Sequence, residues 1–169
     1  MNENESYALA EITLKLCPEC NEQESNRVSR KVQNQVNAGL IRPIKNQHTG
    51  RGVHRRYDQF ELYKAKVLLE MHPFQAPNSV LKFISDLFDD CNPDRNSSLT
   101  RDSTSRSKAK QKIGQYMSDA IDGKQDILLT INSDQSRGLQ ANLCTAKEFD
   151  PAWRSSILIN LTEVFRAIK

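Results

Sequence analysis

Asn26-Arg27-Val28-Ser29-Arg30-Lys31-Val32-Gln33-Asn34-Gln35-Val36-Asn37-Ala38-Gly39-Leu40-Ile41-Arg42-Pro43 is the stretch whose reading decides the fold. Val28, Val32, Val36 and Leu40 recur every four residues, which draws one apolar stripe down a helix. The remaining faces carry Asn26, Arg27, Arg30, Lys31, Gln33 and Asn34. Ser25 is a suitable N-cap for this helix. Gly39 ends it, because glycine accepts the left-handed conformation that follows many helix C-termini. The result is a helix anchored on one side by valines and polar and cationic on the other.

Upstream, Tyr7–Leu16 predicts a shorter helix stopped by Pro18. Downstream, Leu40–Ile44 and Val53–Tyr57 read as two short extended pieces. Between them lies a polar, basic segment, Lys45–Gly52, with glycines at 50 and 52. Strand, flexible tip and strand make a small hairpin, or wing. Asp58 followed by Glu61 resembles a capping box and opens a third helix through Met71, closed by Pro73 and Pro77.

Charge follows the same map. Residues 1–23 carry a net −4, residues 24–66 a net +7, residues 67–100 a net −3 and residues 101–169 a net +3. An excess of +7 over that short a segment is the footprint of a surface that meets a polyanion.

Beyond residue 77 the pattern changes. Asn78–Asp90 predicts an amphipathic helix with Val80, Leu81, Phe83, Ile84, Leu87 and Phe88 on its apolar side. Asn92–Lys112 is rich in Ser and Lys and poor in apolar residues, so it reads as a flexible basic linker rather than a DNA-following arm. Ile113–Ile121 reads as a short helix and Ile127–Ile131 as a strand. Gly138–Thr145 is its hairpin partner through the turn-rich Asn132–Gln135. Ile157–Leu161 is a third strand, and Thr162 caps a terminal helix. The expected fold class is α+β: a winged helix-turn-helix at 1–75, an amphipathic helix at 76–91, a linker at 92–112 and a small α+β unit at 113–169.

Arg30, then Gly39-Leu40-Ile41-Arg42-Pro43, Gly50-Arg51-Gly52 and His54-Arg55-Arg56-Tyr57-Asp58 resemble the N-terminal domain of MerR-type regulators. The resemblance spans Tyr7–Met71. It implies a winged helix-turn-helix in which Arg30, Arg55 and Tyr57 fall at DNA-contacting positions, with Tyr57 packed at the wing base. Three departures stand out. The family's Arg-Tyr-Tyr in the recognition helix is Gln33-Asn34-Gln35 here, its first wing tyrosine is His54, and no coiled-coil arm follows the third helix.

The expected DNA-binding residues are therefore Asn26, Arg27, Arg30, Lys31 and Asn34 on the helix, with Lys45, Arg51, His54, Arg55, Arg56 and Tyr57 on the wing. The first five offer groups suited to base edges, and the wing cations suit phosphates. The expected partner is double-stranded DNA, bound by a homodimer whose two modules read two half-sites. RNA polymerase or another regulator is a further candidate partner. An excisionase-like architectural factor and a protein-interaction module are the alternatives.

No catalytic motif is present, so neither an enzyme nor a cofactor is expected. Cys17-Pro18-Glu19-Cys20 has the spacing of half a zinc site. No second close pair accompanies it, and it reads as two reduced thiols in a turn, with no metal. No run approaches the roughly eighteen apolar residues of a membrane span. The N-terminal segment is polar and acidic, which is unlike a secretory signal, so a cytoplasmic, nucleoid-associated protein is expected.

Overall fold

The computed structural model describes residues 6–44, 55–92, 104–134, 138–149 and 155–168. The protein is of mixed α+β class. Its chain divides into two compact units, which meet in sequence at Pro77 and Asn78.

The first unit opens on a two-residue strand β1 (Ser6–Tyr7) and helix α1 (Leu9–Leu16), shorter than the helix expected from Tyr7 onward. Ala8 offers no side-chain acceptor at the N-cap, so half of a capping box forms: its N–H donates to Glu11 Oε2 at 2.6 Å. Helix α2 spans Glu22–Asn37. Its cap is Asn21 and not Ser25, one turn earlier than expected. Asn21 Oδ1 accepts from the Glu24 N–H at 2.9 Å and Glu24 Oε2 accepts from the Asn21 N–H at 3.3 Å, a complete capping box. At the other end Gly39 takes φ +70°. Leu40 N–H then reaches back to the Gln35 carbonyl and Gly39 N–H to that of Val36, the Schellman arrangement.

Leu40–Ile44 is not a strand, contrary to expectation, and the backbone donors show why. Leu40 and Ile41 give their N–H groups to the Gln35 carbonyl. Arg42 N–H goes to Glu61 Oε2 at 2.8 Å. Pro43 has no N–H. Only Ile44 remains, and it bonds the Arg56 carbonyl at 2.9 Å. Strand β2 (Tyr57–Asp58) pairs instead with β1, Ser6 opposite Asp58 and Tyr7 opposite Tyr57. The expected wing tip at 45–52 and its continuation through His54 lie outside the described residues.

Helix α3 (Gln59–Glu70) is capped by Asp58, which accepts from the Glu61 N–H at 2.8 Å. Glu61 does not complete the expected box. Its carboxylate is fully buried, with Lys64 Nζ 2.8 Å from Oε1 and the Arg42 N–H on Oε2. The three helices bury Ile12, Leu16, Val32, Val36, Leu62, Ala65 and Leu68. Val28, expected in this core, is only half-buried.

The second unit begins with α4 (Asn78–Cys91), the expected amphipathic helix, packed against the helix and hairpin that follow. Helix α5 runs unbroken over Thr104–Asp122. The expected linker at 92–112 is therefore helical from residue 104 on, with 93–103 outside the described residues, and the expected short helix at 113–121 is the second half of a long one. Lys, Arg, Ala and Gln in Arg106–Lys112 favour helix intrinsically, even with few apolar neighbours.

Strands β3 (Ile127–Asp134), β4 (Gly138–Thr145) and β5 (Ser155–Asn160) form an antiparallel sheet in the order β4-β3-β5. The expected hairpin is present, in a register running from Ile127 opposite Thr145 to Asp134 opposite Gly138. Its strand continues through Asn132–Asp134, where a turn was expected. Ile127, Leu129 and Ile131 share one buried face by strand alternation, with Ile159 opposite Leu129. Helix α6 (Leu161–Arg166) is capped by Asn160, whose Oδ1 accepts from the Thr162 and Glu163 N–H groups. Thr162 is not the cap. Its buried hydroxyl donates to the Gln125 carbonyl and accepts from the Ile127 N–H, which joins α6 to the start of β3.

Glu148 closes the sheet end onto α5. It accepts from the Thr145 N–H at 2.9 Å and from the Tyr116 hydroxyl at 2.7 Å, and pairs with Lys112 Nζ at 3.3 Å. The Thr145 backbone donor, followed by Tyr116, pulls its carboxyl down to about 2.

Two measurements check this architecture. Lys64→Met leaves the Glu61 carboxylate buried without its cation and is expected to cost the first unit about 3–5 kcal/mol. Residue-resolved hydrogen exchange across α3 reads it, and an unchanged exchange rate would mean the pair is not buried. Glu148 has a folded value below its unfolded 4.5, so its contribution is present above 4.5 and fades as pH falls towards about 2. Glu148→Gln should therefore destabilise the second unit at pH 7, with the difference from the parent shrinking through that window. A constant difference would contradict the assigned contacts.

Candidate nucleic-acid interface

At roughly 100° per residue, Val32, Gln35 and Val36 define the inward side of α2. All three are buried. Asn26, Arg27, Arg30 and Asn34 lie on the opposite side and are exposed, and Lys31 at its margin is half-buried. The five expected helix residues thus share one outward arc of about 140°. Gln23, Gln33 and Asn37 fall within or beside the same arc and are exposed as well, with Gln33 Nε2 donating to Asn37 Oδ1 at 2.9 Å. These three were not among the expected contacts, although the same angular count would have found them.

No acidic residue occurs from Ser25 to Tyr57, a span that holds eight Lys and Arg residues. The acids nearest the arc in sequence, Glu22 and Glu24, sit in the first turn, where the positive helix end favours them. Glu24 is also held by its cap bonds. The outward face of α2 therefore presents positive charge and amide groups without an internal counter-charge from that span.

The expected wing residues divide three ways. Lys45, Arg51 and His54 lie outside the described residues. Arg55 is exposed, and its positive charge acts on the nearby Tyr57 phenol. Arg56 is committed internally: Nη2 donates to the Ser6 carbonyl at 2.7 Å, Nε to Ser6 Oγ at 3.2 Å, and Nη1 lies 3.4 Å from Glu11 Oε2. It ties β2 to the N-terminal segment, a role that no local pattern announces. Tyr57 is 2% exposed. It is buried in β2, while the wing whose base it was expected to fill lies outside the described residues. Burial pushes the Tyr57 phenol up, and Arg55 opposes that rise.

Cys17 and Cys20, expected as reduced thiols, are joined as a disulfide with Cα atoms 5.3 Å apart. Among the described residues no group of three or more His, Cys, Asp or Glu side chains is placed to hold a metal ion. Also among them, no helix is long and apolar enough to cross a membrane.

No model of a known protein family matches the chain, and no curated protein matches it.

The effect of the Arg55 charge on Tyr57 has a direct readout. Removing the cation in Arg55→Ala removes what stabilises the phenolate, so the Tyr57 pKa is expected to rise further. Its ring signal in an alkaline NMR titration reports this, and a fall would place Arg55 elsewhere.

Proposed function

We infer that the protein is a sequence-specific double-stranded-DNA-binding regulator of transcription, built on a MerR-like winged helix-turn-helix. One observation carries this reading: the outward arc of α2, where Asn26, Arg27, Arg30, Lys31 and Asn34 lie opposite the buried Val32 and Val36. A helix with that division fits the major groove, where Arg pairs with guanine and Asn with adenine in bidentate fashion. The acid-free span around it supplies the attraction to phosphate. The exposed Arg55, together with Lys45 and Arg51, takes the phosphate-contacting role next to the helix. Two copies on two half-sites provide the affinity and specificity that one small module lacks. Such a protein works at the nucleoid in the cytoplasm, through binding rather than catalysis.

Selection from a random duplex library, followed by anisotropy titration of the enriched sequence, tests the reading. Arg30→Ala and Arg27→Ala should each weaken the enriched duplex by about tenfold and lower the salt slope if a phosphate contact is lost. Failure to enrich any sequence would end the regulator reading. Tight binding without sequence preference would favour an architectural factor of excisionase-like type. Binding to no duplex at moderate salt would point to a protein partner instead.

A further inference from the structure

We propose that Cys17 and Cys20 form a reversible thiol–disulfide site, exchanging electrons with a dithiol and setting the junction between α1 and α2. The chemistry stands by itself; its effect on DNA rests on the function proposed above.

The position is specific. Cys17 is the C-cap of α1, its N–H shared between the Thr13 and Leu14 carbonyls at 3.2 and 3.4 Å. Cys20 immediately precedes Asn21, the N-cap of α2, and its N–H donates to the Cys17 carbonyl at 3.4 Å. The bond thus joins the last residue of one helix end to the residue before the next helix begins. Both cysteines are half-buried, and Pro18 and Glu19 between them are exposed. By contrast Cys144 is buried, and burial raises its thiol.

Two arguments separate this pair from a structural staple. A disulfide stabilises mainly by closing a loop in the unfolded chain, and a four-residue loop contributes less than a longer one would. The first unit also already owns a helical core, in which Ile12, Leu16, Val32 and Val36 are buried without help from the sulfurs. What the bond fixes is local: the path from α1 into the Asn21–Glu24 capping box. Partly exposed disulfides are also the ones open to attack and readily exchanged.

The reaction balances as an ordinary exchange. A thiolate of the dithiol attacks Cys17 Sγ, and the S–S electron pair leaves on Cys20 Sγ. The second thiolate of the reductant then displaces Cys17 from the mixed disulfide. The reductant closes to its own disulfide, two electrons have passed, and both protein thiolates take up protons from water. Released, Cys17 and Cys20 no longer fix the turn between the helix ends, and the Asn21–Glu24 capping box that opens α2 loosens.

The full-length protein is equilibrated in mixtures of reduced and oxidised dithiothreitol, and free thiols are trapped by alkylation and located by mass spectrometry. Hydrogen exchange over Asn21–Ser25 and affinity for the selected duplex are read at both ends of the series. A two-electron transition confined to Cys17 and Cys20 is expected, with exchange over Asn21–Ser25 and DNA affinity each changing about fivefold or more. The Cys17→Ser, Cys20→Ser double variant should match the reduced protein and ignore the buffer. Thiols that stay reduced, exchange rates that do not follow the transition, equal DNA affinity in the two states, or stoichiometric zinc in the reduced protein would each overturn the proposal. If no duplex binds in either state, the DNA reading fails, and the exchange data still decide the redox site.

Discussion

The Glu61 carboxylate, buried inside the first unit, ties the turn after α2 to helix α3. Its Oε2 takes the Arg42 N–H from the turn after α2, and its Oε1 lies against Lys64 on its own helix. Desolvating a carboxylate and an ammonium together is costly, and the pair persists only with close geometry and hydrogen bonds on the remaining atoms. Both side chains are 1% exposed. Because the Arg42 donor is spent there and Pro43 has none, the chain leaving α2 is steered by a side chain and not by a strand ladder. That steering delivers Ile44 to the Arg56 carbonyl, and Arg56 in turn carries the chain to β2 and the N-terminal Ser6.

Around that anchor the outward face of α2 follows from packing. The helix is polar over most of its length, and its stability comes from burying one narrow stripe. Val32 and Val36 supply the stripe and Val28 only its edge. A polar helix fixed this way leaves most of its circumference to solvent, which is what a groove-reading helix requires. The second unit is organised differently, around a sheet whose central strand β3 is joined to both neighbours and whose helices contribute Phe88 and Phe165 in an edge-to-face contact with centroids 6.2 Å apart.

What the sequence made legible was local. The stripe of α2, its end at Gly39, the Asp58 cap and the β3–β4 hairpin all rest on neighbours within a few residues, where spacing translates directly into geometry. One local signal was misread: Asn21 has Glu24 three residues on, whereas Ser25 has Val28, so the capping box itself marked the true start of α2. The polar run at 104–112 was weighed for its missing apolar residues, although its Lys, Arg, Ala and Gln favour helix. The pairing of β1 with β2, the Arg56 bonds to Ser6 and the Tyr116–Glu148 contact join residues thirty or more apart. No periodicity encodes such partners. For the candidate interface, the helix arc was readable from angular position, but the internal commitments of Arg56 and Tyr57 required the fold.

The hydrogen bond from Ile44 to Arg56 has a corollary for chain length. It holds these two residues together whatever the length of chain between them. Closure entropy grows with the logarithm of length, about 0.6 kcal/mol for each doubling. By loop closure alone, an insertion between those two residues therefore costs the three-helix body little.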